Sequence, residues 1–358
     1  MRDVELLVIG GGPAGMSASI TAAKKGCDVL LVDRFESLGG QLVKQTHMFF
    51  GSEKQYASYR GIDIKNILLK EIKSNESIKV LNDTTVLGIY DDGVVTLESK
   101  GKYRKIKPKS IVVATGASEK PLGFINNDLP GIYGAGAVQT LMNVYGVKPG
   151  DDVLMVGAGN IGLIVSYQLL QANVNVKAII DAAPYIGGYS VHASKVRRMG
   201  VDIYTKCSVK KAYGKDFLEG VVLTEVDKNF NPIKGTEKKM DIDVLCIAVG
   251  LSPLTELLWQ AGLKMKYIKE LGGFVPLRDE SMQTTVKGIF IAGDVAGVEE
   301  ASSAMVEGHL AGLNASKYLG YEIKEFDKLN KDYLNQLNLL RKGPVGEKIT
   351  KGIKKSII

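Results

Sequence analysis

Apolar residues in this chain fall in short unbroken runs, separated by stretches of helical length. Val4-Glu5-Leu6-Leu7-Val8-Ile9 has strand length, and a helix-length stretch follows over about 13–25, closed by Gly26 as a C-cap. Val29-Leu30-Leu31-Val32 is a second strand. In mid-chain the order recurs, with a strand over 153–156, a helix over 161–171 and a strand over 176–180. Apolar runs at 111–113, 244–249 and 289–291 add strands that end near a glycine. Runs this short and this uniformly apolar suit parallel sheets covered on both faces. Residues 301–315 read as a helix. Phe326, Leu329, Tyr333, Leu337 and Leu340 follow at spacings of 3, 4, 4 and 3, an amphipathic stripe that can pack on its own domain or dock a partner chain. No apolar run approaches the ~18 residues of a membrane helix.

The turns between these elements carry the chemistry. Gly10-Gly11-Gly12-Pro13-Ala14-Gly15 follows the first strand and fits G-x-G-x-x-G. The first glycine makes the tight turn, the second lets a pyrophosphate approach the backbone, and the third lets helix pack on strand. The helix N-terminus faces the negative charge. Asp33 comes 23 positions after Gly10, where an acid can hydrogen-bond a ribose hydroxyl. Gly157-Ala158-Gly159-Asn160-Ile161-Gly162 repeats the turn, and Asp181 follows Gly157 by 24 positions. Each acid is followed six residues later by a glycine pair, Gly39-Gly40 and Gly187-Gly188. One supersecondary unit therefore occurs twice, which predicts two nucleotide sites in two doubly wound, Rossmann-like α/β domains. Thr115-Gly116, Gly250 and Gly293-Asp294 end other strands at the edge where α/β ligands sit, and Ala301 opens a helix whose N-terminus can face a ligand.

At 358 residues the chain has room for about two domains. Its 41 glycines exceed the roughly 25 usual at this length, as repeated close approach to a ligand requires. The net charge is +7, but from Tyr321 onward nine Lys/Arg oppose five acids, so +4 lies in the last 38 residues. The body is close to neutral, which argues against a nucleic-acid face and leaves the basic tail as a solvated terminal segment. The first apolar run, with Asp3 and Glu5 at its start and Gly10 at its end, is not a signal peptide. Cys27, Cys207 and Cys246 are far apart, neither a disulfide framework nor a zinc ligand set, and a cytoplasmic location is expected.

The two glycine turns, Asp33, Gly39-Gly40-Gln41, Ala114-Thr115-Gly116 and Gly293-Asp294-Val295 together resemble the FAD-dependent pyridine nucleotide–disulfide oxidoreductase superfamily, in its thioredoxin-reductase-like two-domain form. The resemblance covers about residues 1–320. It implies a discontinuous FAD-binding domain of residues 1–118 and 251–320, an inserted NAD(P)-binding domain of 119–250, and an amphipathic helix with a basic C-terminal tail over 321–358. It implies that Gly10, Gly12, Pro13, Ala14, Gly15, Asp33 and Arg34 hold the pyrophosphate and ribose of FAD. Gly40 and Gln41 would lie toward the flavin, backbone at Val86 would meet the adenine, and Thr115, Gly116, Gly293, Asp294 and Ala301 would complete the site, with Asp294 on the ribityl chain. The NAD set would be Gly157, Gly159, Asn160, Ile161, Gly162, Asp181 and Gly250.

One departure matters. Thioredoxin reductases carry Cys-x-x-Cys just before the second glycine turn, where this chain reads Gly131-Ile132-Tyr133-Gly134-Ala135-Gly136-Ala137-Val138-Gln139-Thr140-Leu141. Without a thiolate pair no dithiol exchange is expected. This stretch, with Leu129-Pro130-Gly131, is similar to α subunits of heteromeric sarcosine oxidase, opine oxidase and hydrogen cyanide synthase.

The expected activity is FAD-dependent electron transfer between a nicotinamide and a second donor or acceptor. The alternatives are the FAD- and nucleotide-binding subunit of a heteromeric amine or amino-acid dehydrogenase of sarcosine, proline or opine type, and a non-catalytic nucleotide-sensing flavoprotein. An electron-transfer or dehydrogenase partner and a homo- or hetero-oligomer are expected. Asp181 would accept from a ribose hydroxyl and repel a 2′-phosphate, which favours NAD over NADP, with Lys195, Arg197 and Arg198 as the runner-up phosphate partners. His47, in Gln45-Thr46-His47-Met48-Phe49-Phe50-Gly51, is the candidate for proton transfer, against a plainer reading as a loop histidine bonded to backbone. His192, His309 and the three cysteines read as structural.

Overall fold

The computed structural model describes residues 2–358, which divide into two compact units, Met1–Ser118 with Ser252–Ile358, and Glu119–Leu251. In the first unit β1 (Arg2–Ile9), α1 (Pro13–Lys24) and β2 (Val29–Val32) follow one another, as the apolar runs predict. After α2 (Gly61–Lys73) come β3 (Ile78–Leu81), β4 (Thr85–Ile89), β5 (Val95–Ser99) and the long β6 (Lys102–Val113). The sheet order is β3-β2-β1-β6-β5-β4, and the strand Ile289–Ile291 also pairs β6. β3, β2, β1, the second half of β6 and Ile289–Ile291 run parallel, whereas β4, β5 and the start of β6 form an antiparallel meander. Leu6, Leu7, Val8, Leu31, Val112, Val113 and Ile291 are fully buried, as strands covered on both faces must be.

Register aligns the strand ends. Ile9 pairs with Val32 and Val113, and Val113 with Ile291. Gly10, Asp33, Ala114 and Ala292 therefore leave the sheet side by side.

The second unit repeats this plan. Its parallel sheet runs Ile203–Thr205, Asn175–Asp181, Asp152–Val156, Val244–Ile247, Ile132–Gly134. Three helices accompany it: α3 (Ala135–Asn143), α4 (Asn160–Gln171) and α5 (Ser190–Arg198). An antiparallel sheet of Cys207–Tyr213, Gly220–Glu225 and Lys238–Asp241 completes the unit.

The chain then returns to the first unit through α6 (Glu256–Gln260), a hairpin of Met265–Ile268 and Gly273–Pro276, and α7 (Ala301–Tyr318). α7 lies against α1 at very close range. A Cβ on Gly308 or Gly312 would strike the carbonyl oxygen of Ala14 or Ala18. α8 (Phe326–Leu340) carries the amphipathic stripe, and its Tyr333, Leu337 and Leu340 pack into the core of this same unit. The segment after Arg341, expected to be a solvated basic tail, is instead a helix, α9 (Gly343–Ser356). Ile349 and Ile353, one turn apart, pack on Ile268, Leu271 and Val275, and Gly352 lets α9 come close to Leu271. Its lysines stay on the solvent side.

Candidate functional site

Each glycine turn is forced by its surroundings. Gly10 has φ +103°, and a Cβ there would meet the carbonyl oxygen of Ala114. A Cβ on Gly15 would meet the carbonyl oxygen of Gly10. Gly12 is different: the nearest atom to its missing Cβ is Gly40 Cα at 3.9 Å, so the space above it is open. Gly12 is also the N-cap of α1 and places no side chain on the first backbone N–H groups. This is the arrangement a diphosphate needs, with unspent donors and the positive end of the helix dipole.

Asp33 is buried at 8% exposure and holds the turn from the next strand end. Its Oδ2 accepts from Gly11 N at 2.5 Å and its Oδ1 from Phe35 N at 2.8 Å. Gly39 N donates to Gly11 O at 2.8 Å, which folds the Gly39-Gly40 pair over the turn. Gln41 is exposed beside it, in the 3-10 turn Gly40–Lys44. Thr84 N donates to Asp33 O at 3.0 Å, so β4, with Val86 as its second residue, begins close to the acid. Arg34 points to solvent, its guanidinium 5.0 Å from the Phe35 ring centroid. Thr115 and Gly116 follow β6 and are pinned to residue 254: Thr115 Oγ1 donates to Leu254 O at 2.8 Å, and Leu254 N to Gly116 O at 3.0 Å.

The second unit builds the same object. Gly157 has φ +111° against the Ala248 carbonyl oxygen, and Gly162 closes on Gly157 O. Asp181 Oδ2 accepts from Ala158 N at 2.7 Å and Oδ1 from Ala183 N at 2.8 Å. Gly188 N donates to Ala158 O at 2.9 Å. Gly159 caps α4 without a side chain, and nothing lies within 4 Å of its missing Cβ. Asn160 Oδ1 accepts from Tyr189 N at 2.8 Å, so this side chain holds a loop. Ile161 and Gly250 are exposed on this edge. Among the runner-up phosphate partners, Lys195 lies over the Tyr167 ring at 4.6 Å.

Gly293 and Asp294 follow the strand Ile289–Ile291. A Cβ on Gly293 would come to 2.9 Å from Ala14 Cβ, so this turn sits against the first turn of α1. Burial, then Glu299 and Glu307, push the Asp294 carboxyl up to about 7, opposed by a hydrogen bond from Glu299 N at 3.2 Å. Ala301 is the first residue of α7, just beyond.

Sequence reasoning missed the charges behind this turn. Glu307, in the middle of α7, accepts from Gly293 N at 2.9 Å and pairs with Arg341 at 2.6 Å and Arg278 at 3.7 Å. Burial pushes Glu307 above the usual carboxylate range while the two guanidiniums pull the other way. A lone acid in Ser302-Ser303-Ala304-Met305-Val306-Glu307-Gly308 was the available signal. Glu119 was missed as well: its Oε1 accepts from Gly136 N at 2.6 Å at the start of α3.

His47 stacks on Phe49, with ring centroids 5.7 Å apart and planes at 22°. Their loop is tied to the start of α2, through Ile62 N to Gln45 O at 3.2 Å and Phe49 N to Tyr59 O at 2.9 Å. Phe49 is buried and Phe50 exposed. His309 is structural, bonded to Thr21 Oγ1 at 2.7 Å and stacked on Tyr333. All three cysteines are free thiols; burial pushes Cys27 up to about 11 and also raises Cys246 and Cys207.

An opine oxidase subunit from Agrobacterium tumefaciens (strain Ach5) is 27% identical over 329 residues, covering 87% of this chain and 65% of that protein. The alpha subunit of sarcosine oxidase from Corynebacterium sp. (strain P-1) is 29% identical over 338 residues, covering 89% of this chain and 33% of the other. The chain thus spans between one third and just under two thirds of these relatives. Among solved structures, T. acidophilum thioredoxin reductase superposes with a TM-score of 0.72 at 22% identity, over 88% of this chain and 99% of that one. L-proline dehydrogenase from P. horikoshii gives 0.69 at 24% identity, over 92% and 59%. Both share the fold. Residues 4–308 match the family described as pyridine nucleotide-disulphide oxidoreductase, and the chain belongs to that family of flavin-dependent oxidoreductases.

Proposed function

We propose that the chain holds FAD in its first unit and a nicotinamide nucleotide in its second, and that it moves electron pairs without a dithiol. The observation that carries this reading is the duplicated cradle, with the acid contacts of Asp33 and Asp181 matched atom for atom. Bound FAD would supply two-electron redox chemistry toward a nicotinamide nucleotide. The chain's own residues bind and orient. The first turns of α1 and α4 take the diphosphates, Asp33 and Asp181 take ribose hydroxyls, and Asp294 orients the ribityl chain. Asp181 presents a carboxylate where NADP would bring a 2′-phosphate, which supports NAD. Three separate cysteines, two of them buried, give no thiolate pair for disulfide reduction.

A second reading is supported by the relatives, which are named as subunits of oxidases. In it the chain is the flavin and nucleotide subunit of a complex that oxidises an amine or amino acid, and the partner brings the substrate. Anaerobic titration of the purified yellow chain separates the two. Bleaching by NADH near one equivalent supports the first reading. Colour that persists with NADH, yet bleaches with a secondary amine once the partner chain is added, supports the second. A colourless chain that FAD cannot reconstitute sinks both.

A further inference from the structure

The segment after Gly320 lies beyond the family match, which ends at residue 308. Its Arg341 nevertheless reaches the element that carries Asp294. The guanidinium is 10% exposed and grips Glu299 with two nitrogens, Nε to Oε2 at 3.0 Å and Nη2 to Oε1 at 2.7 Å. The same Nη2 donates to Glu307 Oε1 at 2.6 Å. Both acids pass the contact on, Glu307 through its carboxylate and Glu299 through its backbone N–H. Glu307 Oε2 accepts from Gly293 N at 2.9 Å, and Glu299 N donates to Asp294 Oδ1 at 3.2 Å. Arg341 is therefore one side chain away from the Gly293-Asp294 turn by two routes.

Arg278 makes a second attachment. It is 4% exposed, its Nη2 lies 3.7 Å from Glu307, and its backbone pairs with the end of the chain. Arg278 N donates to Ser356 O at 3.0 Å, and Ile358 N donates to Arg278 O at 3.1 Å. Exposed ion pairs contribute little. These charges are buried, so removing one partner leaves the others uncompensated. Each link is directional, and such a network specifies geometry more than it adds stability.

We propose that Arg341 is a positioning residue for the flavin site: through Glu299 and Glu307 it fixes the Gly293-Asp294 turn against the first turn of α1. The C-terminal helices are then part of the cofactor-binding apparatus. This rests on the flavin reading given above.

The test uses the full chain, stripped of flavin and reconstituted with FAD. Arg341→Met is expected to weaken FAD binding by about ten-fold or more, the scale on which outer partners orient a bound group. The midpoint potential of the bound flavin should fall, because uncompensated carboxylates oppose added electrons. Arg341→Lys keeps the charge but loses the fork, and should fall between. Lys342→Met, at the exposed neighbour, should match wild type. If Arg341→Met does not fold, Arg341→Met/Glu299→Gln removes the pair together; its charges stay balanced, so FAD affinity alone is read, with the same weakening of about ten-fold expected. A purely structural role would lower the melting temperature and leave affinity and potential unchanged in the folded protein; that result overturns the inference alone. A wild-type chain that takes up no FAD overturns the flavin reading with it.

Discussion

Asp294 and His309 are moved in opposite directions by the same cause. Burial favours the neutral form, so Asp294 rises to about 7, aided by Glu299 and Glu307, while His309 falls to about 4, aided by Lys24. The signs of linkage follow. Folded Asp294 holds its proton more tightly than the unfolded chain does, so its contribution is complete at low pH and is lost as pH rises through about 7. His309 contributes above its unfolded value of 6.5, and that contribution is lost as pH falls toward about 4. In urea unfolding of the flavin-free protein between pH 4 and 7, Asp294→Asn should make stability climb more steeply with pH than in wild type. His309→Gln should flatten the climb. An Asp294→Asn profile parallel to wild type would show the shift to be wrong. The place of Asp294 is legible in the sequence as a strand end followed by glycine and acid. Its charged neighbours are not, because Arg278, Glu299, Glu307 and Arg341 obey no spacing and meet only when α7 and α8 pack.

Among elements, α1 and α7 carry the sharpest constraint. An exposed helical glycine changed to alanine usually gains about 1 kcal/mol. At Gly308 the new Cβ would enter the carbonyl oxygen of Ala14, a backbone atom that cannot rotate away. Gly308→Ala should therefore destabilise by about 1–3 kcal/mol, the usual cost of overpacking, and should weaken FAD binding because Ala14 belongs to the cradle. Urea unfolding and FAD titration measure both, and a stabilised variant would contradict the packing. The amphipathic stripe at 326–340 identifies α8 from sequence alone, but two destinations fit it, its own domain or a partner. The structure packs it on its own unit, with Tyr333 stacked on His309 at 5.5 Å and Leu337 buried. α9 is nearly invisible beforehand. Its charge suits a solvated tail, and its apolar face is little more than Ile349 and Ile353, which become informative only beside Leu271.

At the scale of the molecule the two cradles repeat one geometry, so they should fail separately. Gly10→Ala and Gly157→Ala each force a side chain onto a left-handed backbone, at about 1–2 kcal/mol, and into a carbonyl oxygen as well. Gly10→Ala should yield a chain that binds FAD poorly. Gly157→Ala should yield a yellow chain whose affinity for ADP-ribose, by calorimetry, is reduced at least about ten-fold, the effect of 1.4 kcal/mol. Loss of flavin from Gly157→Ala would mean that the units are not independent sites. The amino-acid sequence by itself determined the two strand–turn–helix–strand cradles, their acids and the want of a dithiol. These are local: a few consecutive residues set each turn, and an acid at fixed spacing on the next strand closes it. Only the tertiary structure decided which charges stand behind Asp294, that α8 and α9 fold back onto the first unit, and that Glu119 caps α3. Those contacts join segments distant in sequence, and their free energy comes from burial and pairing that exist only once the chain has folded.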